Sequence, residues 1–253
     1  MLRKRVIPVL LLKGNGLVKT IKFKNPTYIG DPINAVKIFN EKEVDELVVL
    51  DITATIENRA PNFSKIAEIA NECFMPLGYG GGIKSIDEIK KLFDIGIEKI
   101  ILNSSLHINP KLITEAANIF GCQSIIASID IKKNILGNYI IKTHSGTKVN
   151  QIKLIEFLKK VEDYGVGEII INSIDRDGTM EGYDYKLIRI TSEIVSIPVV
   201  ACGGAGKIEH LAKAINDAGA SAVAAGSLFV FQGVHKAVLI SYPNYSELME
   251  KLN

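Results

Sequence analysis

The chain has 253 residues, of which 47% are hydrophobic and 23% charged, a composition typical of a soluble globular protein. The net charge of +2 gives no basic field that would argue for nucleic-acid binding, and no apolar run reaches the ~18 residues of a membrane span. The first five residues do not resemble a signal peptide, so we expect a cytoplasmic protein with no membrane partner.

Short apolar segments alternate with amphipathic segments along the chain. The apolar segments predict eight strands at residues 6–12, 47–52, 76–79, 99–102, 124–130, 168–172, 197–201 and 222–225. Helical patterns between them include residues 31–42, 85–94, 110–120, 151–164, 185–195 and 208–218. Strands that are apolar on both faces and alternate with helices indicate a parallel sheet covered by helices.

Eight such units in about 230 residues predict a closed (β/α)8 TIM barrel. We expect one domain over residues 1–253, with a divergent tail from about residue 230. An open, doubly wound sheet is the alternative, but it would not require the second half of the chain to copy the first.

An internal repeat favours a barrel built from two similar half-barrels. Gly80-Gly81-Gly82-Ile83-Lys84 aligns with Gly203-Gly204-Ala205-Gly206-Lys207, and the same offset places Ser104 on Ser227. A repeat that contains four βα units in each half is what a duplicated half-barrel predicts.

The two glycine turns each follow a predicted strand and precede a predicted helix. Glycine lets the backbone approach a ligand closely, and N–H groups at a helix N-terminus bind anions. In barrels the loops after strands seven and eight often hold a phosphate, and here these contain Gly203-Gly204 and Gly226-Ser227. Gly81-Gly82 with Asn103-Ser104 forms the second copy. We predict a ligand with two phosphate ends; tight turns without a ligand are the alternative.

Four aspartates fall at or just past the ends of predicted strands, which form the catalytic rim of a barrel. They are Asp51, Asp130, Asp175 and Asp177. Asp130 is the best candidate for a general acid or base, and Asp177 suits ligand hydroxyls or water near a phosphate. Helix capping is the alternative role.

Charged residues also mark the opposite end of the predicted barrel. Arg5, Glu46, Lys99 and Glu168 stand at strand starts, and their alternating sign predicts a ring of salt bridges. Because a buried ring is a weak source of stability, a gate is one interpretation. By residue type alone, ordinary exposed ion pairs are favoured.

The cysteines and histidines form no recognisable constellation. Cys73, Cys122 and Cys202 are too widely spaced for a zinc or redox motif, and we expect buried thiols in a reducing cytosol. The four histidines have no metal-ligand spacing, so we expect no metal site and no cofactor.

Several further segments are specific in combination: Arg5-Val6-Ile7-Pro8, Gly30-Asp31-Pro32, Asp45-Glu46-Leu47, Leu50-Asp51-Ile52-Thr53-Ala54, Gly80-Gly81-Gly82-Ile83, Asn103-Ser104, Ser173-Ile174-Asp175-Arg176-Asp177-Gly178-Thr179 and Gly203-Gly204-Ala205-Gly206. Together they resemble the HisF family, the cyclase subunits of imidazole glycerol phosphate synthase. The resemblance covers residues 1 to about 229.

The resemblance implies a (β/α)8 barrel whose glutaminase partner, HisH, releases ammonia that enters through the barrel bottom. At the top the ammonia meets a bisphosphorylated ribulosyl intermediate. The resemblance implies one phosphate site at Gly82, Asn103 and Ser104, and another at Asp177, Gly178, Gly204, Gly226 and Ser227. It also implies an ammonia gate at Arg5, Glu46, Lys99 and Glu168, and a partner interface at Glu98.

One departure concerns catalysis. Family cyclases use two aspartates; the second is Asp130, but the first position holds Leu11. The repeat gives the same alignment, because residues 7–13 overlay residues 126–132. Leucine cannot transfer a proton, and loss of a general acid or base typically costs 10²–10⁴-fold in rate. Cyclase and lyase activity is therefore left open.

The tail at residues 228–243, the leucines at 10–12 and Lys22-Phe23-Lys24-Asn25-Pro26 resemble the WbuZ-type branch of the family. That branch implies ammonia delivery from a HisH-type glutaminase to a sugar amidotransferase in surface glycan (O-antigen-type) biosynthesis, and we favour this reading. One alternative is an imidazole glycerol phosphate synthase cyclase of histidine biosynthesis, forming imidazole glycerol phosphate and AICAR, with Asp130 and water covering both proton transfers. Another is a non-catalytic scaffold that activates a glutaminase.

Overall fold

A computed structural model describes residues 4–252; Met1, Leu2 and Arg3 of the N-terminal segment considered above lie outside this range, as does Asn253. In chain order the strands are β1 (Arg5–Lys13), β2 (Gly16–Ile21), β3 (Lys24–Gly30), β4 (Leu47–Asp51), β5 (Leu77–Gly80), β6 (Lys99–Leu102), β7 (Ile125–Lys133), β8 (Tyr139–Thr143), β9 (Lys148–Asn150), β10 (Glu168–Ser173), β11 (Val199–Cys202), β12 (Ala222–Ala225), β13 (Phe231–Gln232) and β14 (Ala237–Val238).

The helices are α1 (Pro32–Glu41), α2 (Phe63–Asn71), α3 (Ile86–Ile95), α4 (Ser105–Ile108), α5 (Pro110–Phe120), α6 (Leu154–Asp163), α7 (Tyr185–Ile194), α8 (Ile208–Asn216) and α9 (Tyr245–Leu252). Two short 3₁₀ helices lie at Cys122–Ser124 and Ser227–Phe229. No helix within residues 4–252 is both long and apolar enough to cross a bilayer.

Eight parallel strands close into a barrel. β1, β4, β5, β6, β7, β10, β11 and β12 pair in that order, and β12 pairs with β1, for example Arg5 with Ala222. The predicted TIM barrel is confirmed, and the open sheet is wrong because the first and last strands are joined. Predicted strands 76–79 and 197–201 lie closer to the C-terminus in the structure, at Leu77–Gly80 and Val199–Cys202.

The core has two compartments because successive residues of a strand point to opposite faces. One face of each strand packs against the helices, where Phe39 and Phe157 are fully buried. The other face fills the barrel interior with small or branched side chains, among them Ile7, Val9 and Ile126. Leu11 has the same parity as Ile7 and Val9, so its side chain belongs to the interior compartment.

Two antiparallel extensions leave the C-terminal end of the barrel, beyond the eight predicted strands. β1 continues into β2 and β3, and β7 continues into β8 and β9, by antiparallel pairing. Their turns meet above the mouth, where the Gly146 backbone leaves room for the ring of Phe23. Ser145 Oγ of the second hairpin donates to Ile52 O at 2.8 Å, which ties it to the loop after β4. The hairpins therefore cover part of the mouth.

Candidate active site

Asp130 lies near the end of the barrel section of β7 and is only 8% exposed. Its carboxylate accepts hydrogen bonds from Asn103 Nδ2 and Asn172 Nδ2, each at 3.0 Å. Burial raises the pKa of Asp130 to about 7, although the two amide donors oppose the shift. The side chain can therefore accept or donate a proton near neutral pH, which is what a general acid or base requires.

At the position where family cyclases have their first aspartate, Leu11 is part of an apolar wall of the cavity. Leu11 pairs with Leu50 of β4, and both side chains line the mouth cavity together with Val9. No proton-transfer group is possible at these positions, so a second such group must come from elsewhere in the cavity.

Lys19 of β2 brings a cation into the same cavity. Its side chain is 5% exposed, and Nζ donates to Val9 O, the carbonyl two residues before Leu11. Burial lowers the pKa of Lys19 to about 8, while the neighbouring Asp177 opposes that shift. Sequence reasoning missed Lys19 because the β2 hairpin was not predicted; a lone lysine in a segment with no helical pattern gave no other signal.

The first glycine turn has the glycine backbone that the sequence predicts. Gly81 and Gly82 adopt φ of 130° and 75°, and a Cβ on either would overlap backbone atoms of the loop after β4. The N-terminus of α3, however, is closed by a capping box between Ser85 and Glu88. The capping box takes up the N–H groups of Ser85 and Glu88, so these two donors are not available to an anion at this turn. The Gly82 N–H has no acceptor within the described residues and remains available.

Asn103 and Ser104 follow β6 at this turn but have protein partners. Asn103 directs its amide to Asp130 and to Ser128 O. Ser104 Oγ accepts a hydrogen bond from His144 N at 3.1 Å. Asn103 therefore positions Asp130, and a phosphate at Ser104 would share its hydroxyl with the β8–β9 turn.

The second glycine turn is lined by Lys19. Gly203 and Gly204 have φ of 83° and 121°, and a Cβ on Gly204 would overlap Gly182 O. The Gly226 backbone lies directly against Lys19 Nζ, and Ser227 follows it as a buried residue. Gly178, Gly204, Gly226 and Ser227 all line the one mouth cavity with Asp130 and Asp177. A phosphate here would meet both backbone N–H groups and an ammonium group, which together favour an anion.

Asp177 faces the cavity from the loop after β10. It accepts a hydrogen bond from Thr20 Oγ1 at 3.3 Å, and its backbone carbonyl accepts one from Lys22 N. Burial raises the pKa of Asp177 to about 6, while Lys19 lowers it. The residue thus joins the β2–β3 hairpin to the rim of the mouth.

Two other rim aspartates are structural. Asp51 accepts from Thr53 N and Ala54 N at 3.1 Å each and forms an ion pair with Arg59. Asp175 accepts from Lys133 N at 2.7 Å. Both carboxylates therefore stabilise loops, but Asp51 does not cap the next helix, because Asn62 is the N-cap of α2.

At the opposite end of the barrel, the four charged residues lie together. Arg5 contacts Glu46 at 2.6 Å and also contacts Glu168, and Lys99 contacts the same two glutamates at 2.7 and 3.2 Å. Glu46 and Glu168 are 3% and 5% exposed. These are not ordinary exposed ion pairs; they form a closed ring across the barrel bottom. Bonds to both glutamates raise the pKa of Arg5 although burial lowers it.

The remaining sequence expectations concern the surface and metals. Glu98 is exposed beside this ring, just before β6. The expectation of buried cysteines is wrong for Cys122, which is exposed; Cys73 and Cys202 are half-buried, and Cys202 lies in the cavity wall. No group of three or more potential metal ligands occurs within residues 4–252.

Known proteins are similar over nearly the whole chain. A family model described as "Histidine biosynthesis protein" matches residues 5–235. "Putative imidazole glycerol phosphate synthase subunit hisF2" of Pseudomonas aeruginosa is 51% identical, over 98% of this chain and 99% of that protein. "Putative imidazole glycerol phosphate synthase subunit HisF" of Leptospira borgpetersenii is 53% identical over 96% of each chain. "Imidazole glycerol phosphate synthase subunit HisF" of Chlorobaculum tepidum is 40% identical over 92% of each.

Proposed function

This chain belongs to the HisF family of histidine biosynthesis proteins, and from that premise we propose that it is the synthase subunit of a glutamine amidotransferase complex. In this proposal a HisH-type glutaminase docks at the barrel bottom, near Glu98, and releases ammonia there. The ammonia passes the ring of Arg5, Glu46, Lys99 and Glu168 and forms a C–N bond at the mouth. One observation carries the proposal: the charged ring and Asp130 lie at opposite ends of the same barrel interior.

The names of the relatives favour one reaction, the formation of imidazole glycerol phosphate and AICAR in histidine biosynthesis. The two glycine turns would hold the two phosphates of the ribulosyl intermediate. One group must take a proton from the attacking nitrogen, and another must give a proton to a leaving atom. We assign these steps to Asp130 and Lys19, whose pKa values of about 7 and 8 suit a base and an acid near neutral pH.

The test is direct assay of purified protein with an ammonium salt and the bisphosphorylated ribulosyl intermediate. We expect imidazole glycerol phosphate to form, and we expect Asp130→Asn and Lys19→Met each to lower kcat by about 10²-fold or more. Lys13→Met is the matched control, because Lys13 is exposed at the end of β1. Absence of product from wild-type protein, together with failure to rescue a histidine auxotroph, would exclude this reaction.

Leu11 favours a second candidate function, ammonia delivery to a separate sugar amidotransferase in surface glycan biosynthesis. An apolar wall at the carboxylate position suits a conduit that carries neutral ammonia better than a site that performs two proton transfers. Here we expect glutamine hydrolysis by the glutaminase complex without imidazole glycerol phosphate, and sugar amidation only when the amidotransferase is added. Amidation at the same rate without this chain would contradict the candidate.

A further inference from the structure

A basic and apolar surface lies beside the mouth, on the sheet of β7, β8 and β9. The hairpin surface, as we call it, consists of Lys132, Ile135, Leu136, Ile140, Lys142 and Val149, and a shallow cleft runs between most of these side chains. Lys132 pairs with Ile140, and Lys142 pairs with both Asp130 and Val149. Directly paired residues of antiparallel strands project to the same face. The hairpin surface therefore continues the barrel wall that carries Asp130, beyond the C-terminal end of the barrel.

The tip of this hairpin exposes two aliphatic side chains on a hydrogen-bonded turn. Ile135 and Leu136 are 105% and 83% exposed, among the largest values for aliphatic residues in the described part of the chain. Asn134 closes the turn, because its carbonyl accepts from Gly137 N and its side chain accepts from Asn138 N, each at 2.9 Å. The centre of a turn usually holds glycine or small polar residues. Folding of this chain gives no reason for two large aliphatic residues there.

The positive charge of this surface is not balanced by the protein. Residues 131–153 contain five lysines and no aspartate or glutamate. Lys133 points to the other face and pairs with Asp184 at 2.7 Å. Neither Lys132 nor Lys142 forms an ion pair with any carboxylate in the described part of the chain. The surface therefore combines free cationic groups with exposed aliphatic groups.

We propose that the hairpin surface binds an anionic lipid bilayer, with Ile135 and Leu136 inserted at the headgroup level and Lys132 and Lys142 against the phosphates. Lysines combined with a protruding aliphatic edge are the features of reversible interfacial binding. A protein partner is less well matched, because protein interfaces are depleted in lysine and bury about 800 Å² per side, far more than this tip offers.

The inference goes beyond the proposed function and does not depend on it. It revises the sequence-based expectation of no membrane partner, which considered spanning segments and a signal peptide but not binding at the membrane surface. Because the hairpin surface continues the wall of the mouth, binding would turn the mouth toward the membrane surface.

The test is co-sedimentation of the full chain with vesicles of phosphatidylcholine alone and of phosphatidylcholine containing phosphatidylglycerol. We expect binding to the anionic vesicles only, weakened by salt. Each lysine near an anionic surface contributes roughly fivefold to partitioning. We therefore expect Lys132→Glu with Lys142→Glu to reduce binding at least tenfold, and Ile135→Ser with Leu136→Ser to reduce it severalfold.

Matched controls distinguish binding by the hairpin surface from a general effect of net charge or surface hydrophobicity. Lys90→Glu with Lys159→Glu changes the same charge on α3 and α6, and Ile119→Ser with Ile155→Ser removes two half-exposed isoleucines on α5 and α6. We expect both control pairs to bind like wild type, and every variant to keep its thermal unfolding midpoint. The proposal is overturned if wild-type protein does not bind anionic vesicles, or if the controls lose as much binding as the hairpin variants. Binding to polyglutamate but not to vesicles would also overturn it and would indicate an acidic protein partner.

Discussion

Asp130 and Lys19 place two ionisable groups in one cavity, and burial shifts both pKa values toward neutrality. The carboxyl group becomes harder to ionise and the ammonium group easier to deprotonate, because both charged forms lose hydration. Perturbed groups that share a cleft are typical of functional sites. Asp177, with a pKa raised to about 6, belongs to the same set.

The raised pKa of Asp130 makes stability depend on pH. The folded protein holds this proton up to about pH 7, whereas the unfolded chain releases it near pH 3.8. Between these values the unfolded chain binds fewer protons, so the contribution of Asp130 to stability is lost as pH rises from about 4 to 7. We expect Asp130→Asn to gain free energy of unfolding relative to wild type across this window, measured by urea denaturation at several pH values. A difference that is constant with pH, or equal to that of the exposed control Asp94→Asn, would refute the assignment.

The residue at position 11 determines whether the cavity has a second carboxylate for proton transfer. Leu11→Asp would restore a carboxylate opposite Asp130, in a wall otherwise formed by Val9 and Leu50. If only this group limits cyclisation, we expect imidazole glycerol phosphate formation to rise by 10²-fold or more. The rate with ammonium salt is the measurement, and Leu50→Asp, on the neighbouring strand, is the control for a misplaced carboxylate. If wild-type protein is inactive, no gain from Leu11→Asp would mean that more than the acid or base has been lost; if wild-type protein is active, no gain would agree with Lys19 as the second group.

The glycine turns show how individual elements build the site. Gly204 needs its backbone conformation and also the absence of a side chain, since a Cβ would overlap Gly182 O. By contrast, Gly233 has φ of 69° with open space around it. A comparison of Gly204 with Gly233 therefore distinguishes the cost of backbone strain from the cost of an overlap between a side chain and its neighbours.

We expect Gly204→Ala to destabilise the protein by about 2 kcal/mol or more, because strain and overlap add. Gly233→Ala should cost only about 1 kcal/mol from its left-handed backbone. Thermal unfolding with and without inorganic phosphate measures both effects, and we expect the phosphate stabilisation to be lost only in Gly204→Ala. Retained phosphate stabilisation in that variant would contradict an anion site at this turn.

The alternating βα elements could be predicted from the sequence, whereas the β2–β3 hairpin could not. The barrel strands are short apolar runs between amphipathic helices, so periodicity reveals them. The β2–β3 turn uses Lys22 and Phe23 at positive φ, positions where glycine or asparagine is the usual signal. The hairpin therefore had no recognisable turn sequence, and Lys19 was missed with it. Asp130 and the glycine turns were found because they follow predicted strands.

At the scale of the whole molecule, charge is arranged along the barrel axis. The closed ring at the bottom and the Asp130 cavity at the top are separated by an interior of aliphatic side chains such as Ile7, Ile126 and Val200. An apolar interior does not hold ammonium but admits neutral ammonia, since burying an unpaired charge is costly. The proposed passage of ammonia therefore requires the ring to open while Glu46 and Glu168 each keep a charged or polar partner.

Arg5→Ala tests the ring both as a contribution to stability and as an ammonia gate. Removal of Arg5 leaves the buried Glu46 and Glu168 with Lys99 as their remaining partner in the ring. Loss of one member of a buried pair typically costs 3–5 kcal/mol, and partial exposure of Arg5 reduces this to about 2 kcal/mol. Lys160→Ala, which breaks an exposed pair with Glu156, should leave the thermal unfolding midpoint close to that of wild type, because solvent screens an exposed pair.

In a complex with a HisH-type glutaminase, the same variant should change the glutamine-dependent rate while leaving the rate with external ammonium salt within about twofold. Ammonium added to the solution reaches the mouth directly, whereas glutamine-derived ammonia must pass the ring. Equal losses of both rates would show that Arg5→Ala acts only through stability. If Arg5→Ala altered glutamine turnover and Asp130→Ala altered nothing, the chain would be a glutaminase-activating scaffold, and the chemistry assigned to the mouth would be excluded.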